Sequence, residues 1–222
     1  MHGIIDSFPY PIRPGSDEWK NFKNSAERYA ALNVPGDTLK NMCTRGLVYT
    51  CVYCPLFMEL IVFNGIRDGF NALNERINSF AEIITRNDAG TELFDYYKTL
   101  TDTMMNNIRP IKYQIQIHLT EIYLSQKEFL TKIDNHGLID LISKAYGNLL
   151  IKEKYNMDKM IIDGNLYLTT NILYYNLKYQ PLVNFVNKNN PTNFFYNLIF
   201  YSGQTTDSLR YYTEKYIQET IK

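Results

Sequence analysis

Histidine, cysteine and tryptophan are scarce. There are three, three and one of them in 222 residues, which leaves little material for metal centres or thiol chemistry. The histidines at 2, 118 and 136 share no metal-ligand spacing with one another or with Cys43, Cys51 and Cys54. Neither a metal nor a cofactor is therefore expected. Net charge is missing as well: 23 basic and 23 acidic residues cancel, and lysine and arginine gather no further than pairs such as Lys152 and Lys154. No electrostatic footprint for nucleic acid results. The longest uncharged stretch runs from Gly46 to Met58 and is broken by Pro55, well short of the ~20 apolar residues that span a bilayer. A transmembrane segment is not expected. Residues 1–15 lack a basic start followed by an apolar run, so no signal peptide is expected within the chain. Asn64-Gly65 and Asp88-Ala89-Gly90 read as a turn and a cap, because neither has the glycine-rich spacing that cradles phosphate after a strand.

What the chain has is enough apolar material to fold alone. Apolar residues make up 45% and charged residues 21%, ordinary values for a globular domain. At this length roughly 70% of the unfolded surface can be buried. Tyrosine is the anomaly, with 19 copies that thicken after Tyr146. Coding bias explains this blandly, since tyrosine also serves at core edges; the functional alternative is an aromatic binding surface.

Residues 1–15 carry Pro9, Pro11 and Pro14 and are expected to form an extended arm before a single helical domain over 16–222. Ser16 is a good N-cap, and Trp19, Phe22, Ala26, Tyr29 and Ala30 fall on one face, which predicts a helix over 17–32. Further helices are expected over 38–42, from a Thr44 cap to about 54, from Pro55 to 63, and over 66–78. Ser79 with Glu82 reads as a capping box for the next, ending near 86, and Asp88 as the cap of another with Leu93, Phe94 and Tyr97 inward. Pro110 opens a helix to about 124. Ser125 with Glu128 makes a second capping box, closed by Asn135-His136-Gly137. Segments over 138–155, 165–179, 181–187, 192–201 and 206 onward complete the series, with a subdomain seam near 101–107. Two places also fit strands: Tyr113, Ile115, Ile117 and Leu119 alternate with polar residues, and Asp163-Gly164 within 160–168 is a hairpin signal. The expected fold is all-α, either an irregular stack of short helical hairpins like an armadillo or HEAT α-solenoid, or a compact orthogonal bundle.

Two constellations could carry chemistry. Cys51 and Cys54 have dithiol spacing, but at the C-terminal end of a helix, where the dipole disfavours a thiolate; two small core residues is the simpler expectation. His118 and Glu121, one helical turn apart, fit an acid–base pair or an ordinary surface contact. No acidic pair stands out as an acid and nucleophile, so no catalytic, cofactor or metal residues are assigned.

One portion has a familiar look. Ser7-Phe8-Pro9-Tyr10, Pro14 through Lys20, Ala31-Leu32-Asn33-Val34-Pro35, Leu39 through Met42 with Thr44, Leu47 through Cys51, Pro55-Leu56-Phe57, Gly69-Phe70-Asn71 and Arg86 through Gly90 together resemble a family of uncharacterised bacterial proteins. The resemblance covers about residues 7–98. It implies an exported or lipid-anchored helical protein, periplasmic or at the cell surface after signal removal, and no transferable functional residue. Such proteins often carry serine where this chain has Cys43, before the threonine expected to cap the helix.

Subtraction and architecture favour a non-enzymatic module that presents a concave or tyrosine-bearing surface to a protein or peptide, or to a glycan. The alternatives are an enzyme whose site is assembled from distant residues and, more weakly, a thiol switch at Cys51 and Cys54.

Overall fold

A computed structural model describes residues 6–105, 110–189 and 203–220. Among them every regular element is a helix. The first helical stretch divides in two. α1 (Asp17–Asn21) starts at Ser16, whose side chain accepts the Trp19 N–H, and α2 (Ser25–Ala30) starts at Asn24, whose side chain accepts the Glu27 N–H. The Glu27 carboxylate accepts the Lys23 N–H in turn. This reciprocal cap outcompetes a continuous helix over 17–32, and Phe22 folds back edge-on to Trp19 at 5.8 Å.

α3 (Gly36–Asn41) and α4 (Thr44–Val52) follow. The cap of α4 is Cys43, whose Sγ accepts the Gly46 N–H; Thr44 instead donates to Asp88. Beyond Pro55 the chain makes only a 3-10 turn, Phe57–Ile61. α5 (Ile66–Arg76) and α6 (Asn78–Ile83) come next. Neither expected capping box forms. Ser79 is buried inside α6 against the Tyr10 hydroxyl, the Asn33 side chain accepts the Asn78 N–H, and Glu82 pairs with Arg86. Similarly α9 (Lys127–Leu130) starts at Gln126, Ser125 donates to the Ile122 carbonyl, and Glu128 accepts two bonds from Arg67. In both cases a guanidinium offers the acid a charge-assisted bond that a backbone N–H does not match.

α7 (Ala89–Met105) runs through the first part of the expected seam, with Leu93, Phe94 and Tyr97 buried; residues 106–109, and the helix expected over 192–201, lie outside the described residues. α8 (Ile111–Leu124) occupies the alternating segment, and α10 (Asn135–Lys154) absorbs Asn135-His136-Gly137 because Asp134 caps it, accepting the Gly137 N–H. α11 (Lys159–Asn171) carries Asp163-Gly164 within its first half and passes into a π turn, Ile172–Asn176; α12 (Gln180–Lys188) and α13 (Gly203–Thr220) end the described chain.

α8 and α11 are helices with long enclosed stretches. Residues 117–124 and 163–171 are buried without interruption, although residues 111–116 at the start of α8 are exposed or half-buried. The two helices pack on each other, with α7 and α10 alongside. At the other end of α8, Tyr123 meets the rings of Phe57, Phe70, Phe80 and Phe129 at 4.6–5.8 Å, which joins the 3-10 turn, α5, α6 and α9 to the same core. One apolar cluster extends from Tyr10 to Tyr216. Among the described residues no helix is long and apolar enough to cross a membrane.

Candidate functional site

Two arrangements of polar groups stand out, one sealed and one open. The sealed one lies where α7, α8, α10 and α11 meet. Lys152 on α10 and Glu121 on α8 form an ion pair at 2.7 Å with both side chains 0% exposed. The three ammonium donors of Lys152 go to the two Glu121 oxygens and the Ile161 carbonyl. Glu121 also accepts from the Tyr97 hydroxyl and Asn165 Nδ2, each at 2.9 Å, and Asn148 donates to the Tyr97 oxygen at 2.8 Å. Burial alone pushes Glu121 up and Lys152 down, towards neutrality. The donor pattern answers this: four donated bonds converge on Glu121 and none leaves it, which suits a carboxylate and not a carboxylic acid. The pair is ionised in the fold.

His118 sits one turn before Glu121, buried, with neither ring nitrogen partnered. Its pKa is pushed down to about 3, first by burial and then by the Lys152 charge, so it is neutral. Gly164 explains its proximity to α11: a Cβ there would collide with His118 Nδ1 and stand 3.0 Å from Glu121 Oε2. The sequence pair His118 and Glu121 is therefore neither a surface contact nor a hydrogen-bonded acid–base couple. The two share a buried face, and Glu121 spends its oxygens on Lys152, Tyr97 and Asn165. The sequence places Tyr97 inward, as found, but nothing in it links Tyr97, Lys152, Asn148 or Asn165 to Glu121. One signal was present: Leu138, Leu141, Ala145, Asn148 and Lys152 trace a single buried stripe along α10, so an amide and an ammonium stand in an apolar series. Chemically the cluster binds four helices together. Its ammonium has no lone pair and no unused donor, and its atoms have no exposure through which to meet a substrate.

Cys51 and Cys54 are free thiols at the C-terminal end of α4, as their position suggested, and both are buried. Burial pushes Cys54 up to about 11 and Cys51 well above its ordinary value, which empties the thiolate state a redox switch needs. Among the described residues no group of three or more His, Cys, Asp or Glu side chains could hold a metal.

The open arrangement is a groove of about 360 Å³ between α4 and α7. Arg45 and Tyr49, one turn apart on α4, face Glu92, Asp95, Tyr96, Lys98, Thr99 and Asp102 on α7. Tyr96 stands edge-on to both Tyr49, at 5.0 Å, and Tyr53, at 6.3 Å, and Tyr53 is 53% exposed at the next turn of the chain. Lys98 is tied to Asp95 and Lys144 of α10 to Asp102. Arg45 and Glu92 form no hydrogen bond or ion pair among the described residues. Burial, then the Asp95 and Asp88 carboxylates, hold Glu92 above the usual range, while Arg45 opposes them.

Compared with known proteins, the chain matches no family model, no curated protein and no solved structure.

Proposed function

We propose that this chain is a non-enzymatic interaction module whose binding surface is the groove between α4 and α7. The observation that carries this is the groove's composition: tyrosine rings beside one basic and one acidic side chain that make no hydrogen bond or ion pair among the described residues. Tyrosine gives rigid contact area with a polar tip at small entropic cost, and unpaired charges at the edge select the partner. The groove volume falls within the ~300–1,000 Å³ of small-ligand clefts. An extracytoplasmic setting belongs to the same proposal and rests on the likeness of residues 7–98 to exported bacterial proteins.

The enzyme alternative would draw on the shifted acid–base groups around Glu121. Their burial, and the commitment of the Glu121 and Lys152 charges to each other, argue for structural work instead. Amide chemical-shift mapping of the full chain against short peptides and neutral oligosaccharides distinguishes the two. Shifts gathered on Arg45, Tyr49, Glu92 and Thr99 are expected, and a ligand whose shifts gather on α8 and α11 would overturn the proposal.

A further inference from the structure

We infer that the occupant of the α4–α7 groove is a peptide segment presenting a lysine or arginine side chain, its cation held between the Glu92 carboxylate and the Tyr49 ring. This rests on the groove being the binding surface.

Three observations narrow the chemistry. First, the charges within the groove are unequally committed. Asp95 and Asp102 each have a lysine of their own, whereas Glu92 has none among the described residues and stands among like charges from Asp95 and Asp88. Arg45 offsets this crowding only in part, and a ligand cation relieves it further; a neutral sugar leaves it unchanged and an anion aggravates it. Second, aromatic ring faces attract ammonium and guanidinium groups. Tyr49 lines the groove alongside Glu92, so carboxylate and ring can act on one cation together. This fold already uses such contacts, with Arg67 over Phe70 at 4.8 Å and Arg76 over Tyr29 at 4.9 Å. Third, Arg45 offers donors that match a peptide's backbone: it is exposed and makes no side-chain hydrogen bond or ion pair among the described residues, which suits it to carbonyl oxygens flanking the cationic residue. Tyr96 lines the groove although only 4% exposed, its hydroxyl lying beside Tyr53 and Gln116.

The test uses the full chain and three probes: a short capped peptide with one lysine, the same peptide with norleucine in its place, and a neutral trisaccharide. Titration calorimetry gives affinities and amide shifts give location. The lysine peptide is expected to perturb Arg45, Tyr49 and Glu92 and to bind about five- to tenfold more tightly than the norleucine peptide. Glu92→Gln should remove that advantage, and raising salt on the unmodified chain should reduce it whether or not the variant folds. Equal binding of the two peptides, or trisaccharide binding in the groove that Glu92→Gln leaves intact, overturns the cationic-peptide inference while the groove remains the binding surface. Failure of every probe to move groove resonances overturns both.

Discussion

Lys152 shows how much one buried charge commits a fold. Removing it leaves Glu121 ionised, enclosed and without its counter-charge, so Lys152→Met is expected to cost about 3–5 kcal/mol in urea unfolding. The double replacement Lys152→Met with Glu121→Leu should recover most of that loss, because the desolvated charge goes with its partner. A double variant as unstable as the single one would count against an ion pair. His118 adds a pH dependence whose sign follows from its environment. In the fold its pKa is about 3, against 6.5 ordinarily. Between those values the unfolded chain binds a proton that the fold refuses. The contribution of this residue is thus intact above pH ~6.5 and drains away as pH falls towards ~3, at up to about 1.4 kcal/mol per pH unit. His118→Leu should flatten that acid limb by one proton, measured as unfolding free energy against pH. Cys43 offers a gain. Its Sγ caps α4 at 3.3 Å as a weak acceptor, and Cys43→Ser is expected to raise stability by about 0.5–1 kcal/mol in the same assay.

At the scale of elements, the approach of α11 to α8 turns on Gly164. A methyl group there meets the His118 ring and comes close to Glu121. Gly164→Ala should cost about 1–3 kcal/mol despite alanine's better helix propensity, and much less when combined with His118→Ala, which vacates the collision site. The same pair of helices explains where the sequence was ambiguous. Tyr113 to Leu119 alternates in hydrophobicity, yet its polar members form no solvated face, Gln114 and Gln116 being half-buried and His118 buried. Gln116 donates to the Val52 carbonyl and Thr120 to its own helix. Alternation signals a strand only where one face is wet. Caps were read well where the acceptor is local, as at Ser16, and poorly where a distant arginine or asparagine takes over, as at Ser79 and Ser125.

For the whole molecule, the all-helical class was legible because turn residues and helical periodicity recur through the chain. The groove proposed to bind was not. It joins Arg45 and Tyr49 to Glu92 and Tyr96, residues more than 40 positions apart, and each reads singly as an ordinary exposed or core-edge side chain. Tyrosine abundance pointed towards an aromatic surface without locating it. Many of those tyrosines serve structure instead: Tyr10, Tyr97 and Tyr123 are wholly buried, and Tyr97 belongs to the Lys152 cluster. The division of labour is then plain. Polar residues under α8 and α11 hold the helices in place, whereas Arg45 and Glu92, between α4 and α7, make no hydrogen bond or ion pair among the described residues. Tyr49→Leu tests this most directly, by titration calorimetry of the full chain with the lysine peptide beside a thermal melt. The account predicts at least about fivefold weaker binding with little change in melting temperature; unchanged affinity in a folded variant would contradict it.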